Sequence, residues 1–399
     1  MSRDLSRGPL AGGRISRRAL LTAGAAAVGI GAAGIGAGRA RATGDKNTTT
    51  LRLLTWDSYH QEPWLRQFHE QTGIRVVAES ATSPTQMLEV VTAEPDAYDL
   101  VLATTGMYDS YVSAGLLTAI DESRIPGLDT MIDLGFDWRS TATIDERLYG
   151  VVYNWGTQPL AYSPEILTNA AADPYRDDNG VVLDWTILWD KAFEGQVSLF
   201  DDVVGVLPMV ALAAGVADPY NFTEDDFRTV RQWLKRLVPQ VASLASGIDD
   251  QTDDFREGTV RLGYLNNIAT VASLASDDIP LNVTNTPAAG MPAWTDSYAV
   301  TQRGAQHLDE VYEFISHTLK TPWQARLVGQ TGNSGVLSYQ QAISPAAQDA
   351  GLTAEQIAST IIPATQVGEE FFGSLRFYEA VENMERRQQL WAEFTAALG

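Results

Sequence analysis

The sequence predicts an α/β protein with two lobes, each a mostly parallel sheet flanked by helices. The chain has 399 residues, which is too long for one compact domain of usual size and suits two lobes. Its first part alternates strand patterns with helical patterns, as in a parallel, doubly wound sheet. A second series of strands and helices follows Thr157.

The first lobe is predicted to open with three strands and their connecting helices. The predicted elements are strand Leu51–Leu54, helix Pro63–Gln71, strand Ile74–Val77, helix Thr85–Val91, strand Tyr98–Leu102 and a helix after the Thr104-Thr105-Gly106 turn through Ala114. Ligands of such sheets bind at the carboxyl ends of the strands. The segments Trp56–Tyr59 and Thr104–Thr105 are therefore expected at a binding site.

The second lobe is predicted to begin after residues 153–157. Its expected elements are helix Trp185–Phe193, strand Val197–Phe200, helix Leu207–Ala214, helix Phe222–Leu237 with a near capping box at Thr223 and Asp226, and strand Val260–Leu265. Strand Trp294–Val300 is expected to return to the first lobe. Helices are expected at 309–319, at 323–329 and from Pro345 onward, with an amphipathic stretch over Phe371–Leu390.

The first 42 residues have the pattern of an export signal. Arg17 and Arg18 stand at the head of an Ala/Gly-rich apolar run, which is the twin-arginine pattern, and Ala40-Arg41-Ala42 offers a small-x-small cleavage site. The protein is thus expected to be exported, by the twin-arginine route, to a periplasm. The chain has no cysteine, which excludes a lipoprotein anchor, disulfides and thiolate metal sites.

The charge of the chain disfavours nucleic acid and anionic lipid as partners. Residues 1–42 carry seven Arg and one Asp, so the remainder has 21 basic and 49 acidic residues, a net charge of −28. Such an acidic surface repels polyanions.

Motifs of enzymes are largely missing. The four histidines have no partner at metal-ligand spacing, and neither a GxSxG elbow nor a Walker loop occurs. We therefore expect no catalytic residues, no metal and no cofactor. Two catalytic carboxylates can be far apart in the sequence and adjacent in the fold, so the sequence does not exclude such a pair. A secreted carboxylate-dependent hydrolase therefore stays open as the alternative to a binding protein.

An ordered set of short motifs resembles one receptor family. The set runs over residues 51–340. Its members are Thr55-Trp56-Asp57-Ser58-Tyr59, Leu65 to Val76 with Thr72-Gly73-Ile74, Ala97-Tyr98-Asp99-Leu100-Val101, Gly115-Leu116-Leu117, Ile120-Asp121, Tyr153-x-Trp155-Gly156, Trp185-Thr186-x-Leu188-Trp189, Phe193-Glu194-Gly195, Asp201-Asp202 and Trp294-x-Asp296-Ser297. In this order the motifs are similar to those of the polyamine-binding receptors of bacterial ABC importers, within the wider extracellular solute-binding family.

The resemblance implies a two-lobed periplasmic-binding-protein fold of the Venus-flytrap type II. Lobe 1 would comprise 43–155 and 290–342, and lobe 2 would comprise 156–289 and 343–399. The implied protein is a monomeric receptor that captures a small amine such as putrescine or spermidine and presents it to an inner-membrane ABC permease.

The resemblance also implies a binding site between the lobes. The residues carried over are Trp56, Asp57, Tyr59, Thr104, Asp202, Asn266, Trp294 and Asp296. Asp296 is expected to pair with an ammonium group and Trp294 to stack on the ligand, since a buried cation needs an opposite charge and gains from an aromatic face.

Several positions depart from the family pattern. Where the polyamine-binding receptors have a second carboxylate, this chain has Gly205, and where they often have a glutamate it has Ser58. Asn266 stands in place of a tryptophan of the receptors, and Gly106 and Asn333 stand in place of tyrosines. These changes favour a shorter or partly zwitterionic ligand over spermidine. An opine, an amino-acid derivative, a sugar or a compatible solute stays open as the ligand, and a sensor protein stays open as the docking partner.

Overall fold

The computed structural model describes residues 49–399 apart from 58, 129–136, 285–286, 338, 354–367 and 382. The predicted signal peptide, residues 1–42, and Ser58 lie outside the described residues. Within the described ranges, no helix is both long and apolar enough to cross a membrane.

The described strands and helices alternate through most of the chain. The strands are β1 (Thr50–Trp56), β2 (Arg75–Ala81), β3 (Leu100–Thr104), β4 (Leu117–Thr118), β5 (Thr143–Ile144), β6 (Arg147–Leu148), β7 (Gly150–Thr157), β8 (Leu160–Tyr162), β9 (Val197–Phe200), β10 (Val241–Ala245), β11 (Leu262–Tyr264), β12 (Asn282–Thr284), β13 (Met291–Thr301), β14 (Ser334–Gly335) and β15 (Leu375–Phe377). The helices are α1 (Glu62–Thr72), α2 (Pro84–Ala93), α3 (Tyr108–Ser113), α4 (Val203–Ala213), α5 (Glu224–Leu237), α6 (Ile248–Arg256), α7 (Ala269–Ser276), α8 (Leu308–Thr318), α9 (Thr321–Thr331), α10 (Tyr339–Ala342), α11 (Pro345–Asp349), α12 (Gly368–Ser374) and α13 (Met384–Leu398).

The larger sheet places β13 at its centre. Its strand order is β14-β7-β13-β3-β1-β2, with β4 and β15 also paired to β13. Strands β1, β2 and β3 are parallel, whereas β13 runs antiparallel to both β3 and β7. The prediction that Trp294–Val300 is a strand of the first sheet is confirmed. A central antiparallel strand fixes which side chains of β3 and β7 flank each residue of β13.

The second sheet has the order β10-β9-β11-β8-β12. Strand β9 is parallel to β10 and β11, and β8 is antiparallel to β11 and β12. Apolar side chains of α4, α5 and the C-terminal α13 pack into its core, among them Leu207, Leu234 and Phe394. Helix α5 starts with the capping box expected at Thr223 and Asp226.

The predicted helix Trp185–Phe193 is wrong. The segment forms two 3₁₀ turns, Trp185–Trp189 and Lys191–Phe193. The carboxylate of Asp184 accepts a hydrogen bond from the Thr186 N–H at 2.8 Å, and that of Asp190 accepts one from the Ala192 N–H at 2.8 Å. Each aspartate therefore starts its own short turn, which divides the segment.

The predicted helical stretch Phe371–Leu390 is wrong in its middle. Helix α12 ends at Ser374, β15 follows, and α13 begins only after Asn383, whose φ of 58° is left-handed. Residues 375–377 pair in parallel with Met291–Ala293 of β13, so strand pairing overrides the helical pattern. Strand β15 thus belongs to the larger sheet, although the predicted boundaries assign 343–399 to lobe 2. Those boundaries stay a prediction.

Asp99 is fully buried and joins the start of β3 to β1 and to the segment that follows β13. Its carboxylate accepts hydrogen bonds from the Arg52 N–H at 2.8 Å and from Nε of Arg303 at 3.0 Å. Replacement Asp99→Asn should lower the free energy of unfolding by about 3 kcal/mol, because the Arg303 guanidinium loses its charged partner. Urea unfolding measures the change. The exposed Asp96→Asn is the control and should stay within about 0.5 kcal/mol of wild type; equal effects of both changes would contradict the assignment.

Candidate ligand-binding site

The register of β13 gathers polar side chains around Asp296. Asp296 pairs with Thr104 of β3 on one side and with Asn154 of β7 on the other. Trp294, two residues earlier, points to the same face of the sheet. Strand β1 lies next to β3 and ends at Trp56, so Trp56 and Tyr59 reach the same group from a third direction.

The carboxylate of Asp296 is buried and hydrogen-bonded but has no cation beside it. The Thr104 hydroxyl donates to Oδ1 at 2.6 Å and the Tyr59 hydroxyl to Oδ2 at 3.3 Å. Burial raises the pKa of Asp296 to about 7, although Thr104, the Trp56 indole and Tyr59 each lower it. Within the described part of the chain Asp296 forms no ion pair. The site therefore presents a desolvated carboxyl group whose ionised form a cation would favour.

Trp294 forms a wall of this region. Its indole lies over Gly156, where a Cβ would be 2.4 Å from Cζ2 of the ring. The ring also packs with Tyr220 and Tyr378. Gly156 is thus required for the close approach of strand β7 to the tryptophan.

Tyr59 is followed by an imidazole, His60, that sequence reasoning missed, and the Tyr59 carbonyl accepts a hydrogen bond from the Tyr153 hydroxyl at 3.1 Å. Nδ1 of His60 lies 2.9 Å from the Thr55 hydroxyl, Nε2 bonds to the Tyr298 hydroxyl, and the ring stacks on Tyr153. Burial lowers the pKa of His60 to about 3, so the imidazole is neutral. A lone histidine in a predicted loop gives no sequence signal for this role.

Three amide side chains around Tyr59 and Asp296 were also missed as site residues. Asn154 is fully buried beside Asp296, and its side-chain atoms meet no hydrogen-bond partner among the described residues. Burial and the charge of Asp296 raise the pKa of the Tyr59 hydroxyl, and the nearby Asn154 offsets part of that rise. Asn333 donates to the Tyr59 hydroxyl and accepts a hydrogen bond from Asn267. Asn154 could have been found from the antiparallel pairing of β7 with β13.

Asp202 and Asn266 meet in a second cluster. Asp202 caps α4, with its carboxylate accepting from the Val204 N–H at 2.9 Å. Gln158 donates to Asn266 Oδ1 at 2.8 Å and accepts from the Tyr378 hydroxyl at 2.6 Å, and that hydroxyl lies 3.5 Å from Asp202 Oδ2. Tyr378 also contacts Trp294, so the second cluster adjoins the first.

Asp57 is placed differently from the other predicted site residues. Its side chain is exposed and lines a surface pocket of about 330 Å³ together with Trp56, His60 and Glu62. No group of three or more histidine or carboxylate side chains suited to a metal ion occurs in the described ranges.

The buried Asp296 should make stability depend on pH. Its pKa is raised above the unfolded value, so it costs no stability below about pH 4 and destabilises the fold increasingly up to about pH 7. Replacement Asp296→Asn removes this cost and should raise the free energy of unfolding at pH 8, relative to wild type, by on the order of 4 kcal/mol. Urea unfolding at pH 5 and pH 8 measures this difference.

The matched control is Asp178→Asn in an exposed turn, which should be neutral at both pH values. A difference between Asp296→Asn and wild type that does not grow from pH 5 to pH 8 would contradict the burial of an ionisable carboxyl group.

Known proteins match this chain over most of its length. The spermidine/putrescine-binding periplasmic protein of Escherichia coli K12 is 29% identical over 321 residues, which cover 79% of this chain and 82% of that protein. The crystal structure of the spermidine/putrescine ABC transporter substrate-binding protein PotD from Streptococcus pneumoniae has a TM-score of 0.67 at 19% identity, covering 88% of this chain and all of that one. The structure of the Atu4243–GABA receptor has a TM-score of 0.61 at 17% identity over 88% of this chain and 98% of that one.

These structures confirm the predicted two-lobed periplasmic-binding-protein fold. Residues 64–354, the larger part of the chain, match the family model described as bacterial extracellular solute-binding protein. The chain belongs to the family of bacterial extracellular solute-binding proteins.

Proposed function

We propose that this protein captures a small amine-bearing solute in a site around Asp296 and presents it to an ABC permease. The buried Asp296 carboxylate with no cation beside it carries this proposal. An ammonium group supplies the missing opposite charge and offsets the desolvation of both groups. Trp294 adds an aromatic face for the cation or its alkyl chain. Sequence similarity to a spermidine/putrescine-binding protein points to the same chemistry.

Binding of an ammonium should be coupled to ionisation of Asp296. With a pKa of about 7, the carboxyl group is substantially protonated near neutral pH. A bound ammonium stabilises the ionised form, so the group releases its proton as the amine binds. The hydrogen bonds from Thr104 and Tyr59 then hold the carboxylate in a fixed orientation.

Amide side chains near Asp296 and Tyr59 favour an amino-acid derivative as a second candidate ligand. Asn154 lies beside Asp296, and Asn333, which bonds to Asn267, bonds to the Tyr59 hydroxyl. Such amides can bind hydroxyl, amide or carboxylate groups of an amino-acid derivative. The Atu4243–GABA receptor shares the fold, so this fold accommodates such a ligand.

A binding role is favoured over hydrolysis. A carboxylate-dependent hydrolase needs two acids that flank one bond. The carboxylate of Asp202 is engaged by the N-terminus of α4, whereas Asp296 is surrounded by hydroxyl and amide groups. The solute-binding family is in keeping with binding without turnover.

We infer export to the periplasm by the twin-arginine route, with cleavage after Ala42. Arg17-Arg18 and Ala40-Arg41-Ala42 support this inference, and the Escherichia coli relative is a periplasmic protein. The lobes would then be 43–155 with 290–342, and 156–289 with the C-terminal α13. The pairing of β15 with β13 favours placing residues 368–377 in the first lobe.

Amine binding should be detected as stabilisation of residues 43–399 after unfolding and refolding to remove carried-over ligand. The panel contains putrescine, spermidine, GABA, basic amino acids, betaines and sugars. A ligand at a hundredfold its dissociation constant adds about 2.7 kcal/mol, and a thermal shift of a few degrees follows. Asp296→Asn should weaken amine binding roughly 100-fold or more, because the ammonium loses its buried partner.

The control Asp178→Asn should bind as wild type does. Stabilisation by a sugar or an anionic solute, with no response to any amine, would contradict the proposal of an amine ligand. The protein would then be a receptor for another solute. Undiminished amine binding by Asp296→Asn would place the ammonium elsewhere.

Export should depend on the paired arginines. The double change Arg17→Lys and Arg18→Lys should retain the full-length chain in the cytoplasm, because the twin-arginine route requires the pair. Immunoblots of periplasmic and cytoplasmic fractions measure this, and the exported chain should begin at Thr43. The upstream pair Arg3→Lys and Arg7→Lys controls for loss of charge and should be exported. Normal export of the Arg17/Arg18 variant would exclude this route.

A further inference from the structure

The cluster around Asp202 differs in chemistry from the cluster around Asp296. The Asp202 carboxylate accepts N–H groups at the start of α4, an 11-residue helix whose N-terminus carries a partial positive charge. Burial raises the pKa of Asp202, and the N–H groups of Val204 and Gly205 offset part of that rise. The protein itself therefore supplies part of the balance for a negative charge on Asp202.

Two tyrosine hydroxyls converge on the same carboxylate. A Cβ at Gly205 would lie 2.0 Å from the Tyr264 hydroxyl, 2.8 Å from the Tyr378 hydroxyl and 2.8 Å from Asp202 Oδ2. The hydroxyls thus fill the space that any side chain at 205 would need. They lie beside Asp202 at the first turn of α4, where Gly205 has no side chain.

Strand β15 brings Tyr378 into this position. The Tyr378 N–H donates to the Ala293 carbonyl at 2.9 Å, which continues the pairing of β15 with β13. The next residue, Glu379, places its carbonyl 2.7 Å from where a Cβ of Gly106 would be. Glycine at 106 and at 205 therefore lets the segment 378–379 enter between β3 and α4.

The remaining groups of the cluster are uncharged hydrogen-bonding groups. Tyr264 is fully buried, and its hydroxyl has no hydrogen-bond partner among the described residues. Gln158 and Asn266 contribute amides. Burial and the nearby Asp202 raise the pKa of the Tyr264 hydroxyl, which keeps it neutral. Asp202 forms no ion pair among the described residues. The cluster therefore has no ion-paired Lys or Arg at Asp202 that could bind a carboxylate group of a ligand.

We propose that the Tyr264–Tyr378–Gln158 cluster selects a ligand with one ammonium group, bound at Asp296, and an uncharged amide or hydroxyl group at its other end. The proposal rests on the proposed function, because it assigns the ammonium to Asp296. Contact of Tyr378 with Trp294 makes the two clusters adjacent, and the proposed ligand reaches from one to the other. A second ammonium loses its hydration at this end and meets a carboxylate that already accepts the Val204 N–H and lies 3.5 Å from the Tyr378 hydroxyl, which disfavours a diamine.

A matched pair of probes tests the proposal by calorimetry on residues 43–399. The probes are 1,4-diaminobutane and its mono-N-acetyl derivative, which share the chain length and one ammonium. We expect the acetylated amine to bind at least 10-fold more tightly. Equal or tighter binding of the diamine overturns this inference and leaves the proposed function standing. Binding of neither amine overturns both.

Variants of the tyrosines locate the selectivity. Tyr378→Phe removes the hydroxyl beside Asp202 but keeps the ring against Trp294, so the ratio of the two dissociation constants should shift at least fivefold toward the diamine. Tyr264→Phe should weaken the acetylated amine more than the diamine. Tyr220→Phe is the control, because its hydroxyl lies in the same aromatic cluster but donates to the Arg376 carbonyl at 2.6 Å. It should leave the ratio unchanged.

Thermal unfolding shows that each variant is folded before its ratio is interpreted. An unchanged ratio in both folded variants, Tyr378→Phe and Tyr264→Phe, overturns the assignment of selectivity to this cluster.

Discussion

The insertion of β13 between β3 and β7 is the constraint on which the candidate site depends. Because β13 runs antiparallel to both of these strands, Asp296 lies opposite Thr104 on one side and Asn154 on the other. A shift of the register by one residue would turn Asp296 and Trp294 to the other face of the sheet. The ladder of β13 with β3 and β7 is therefore a condition for binding as well as for the fold. The fully buried neighbours of β13 make such a shift costly.

Glycine has a structural role at the places where the site is most crowded. Gly156 admits the indole of Trp294, and Gly205 admits two tyrosine hydroxyls. Gly106, with a φ of 86°, admits the backbone of Glu379. At each glycine, a group from a distant segment of the chain occupies the space that a side chain would need. The site is consequently shaped by residues far apart in the chain, and the C-terminal segment 375–379 contributes to it as much as the strand ends do.

The sequence predicted the elements whose patterns are local. Strands β1, β2 and β3 and the helices between them follow from alternation and from glycine stops, and Trp56, Tyr59, Thr104, Trp294 and Asp296 were named as site residues from ordered motifs. The structure places these residues together, and their role in binding stays a proposal. Asn154 and Tyr378 were missed because their roles arise from pairing between strands far apart in the chain, β7 with β13 for Asn154 and β15 with β13 for Tyr378. The helical pattern over Phe371–Leu390 was misleading for the same reason: residues 375–377 pair with β13, and propensity is weak against such pairing.

The buried carboxyl group of Asp296 lowers the free energy of unfolding when it is ionised. Burial disfavours its charge, and the hydroxyl of Thr104 and the indole of Trp56 offset only part of that cost. The aromatic packing around His60, Tyr153 and Trp323 keeps the surrounding backbone rigid, so the carboxyl group cannot relax toward water. Protonation relieves this cost at low pH, and in the proposed function a bound ammonium relieves it at neutral pH. The same burial that destabilises the free protein therefore gives an ammonium ligand a part of its binding free energy, and this exchange is what suits the site to capture rather than to support of the fold.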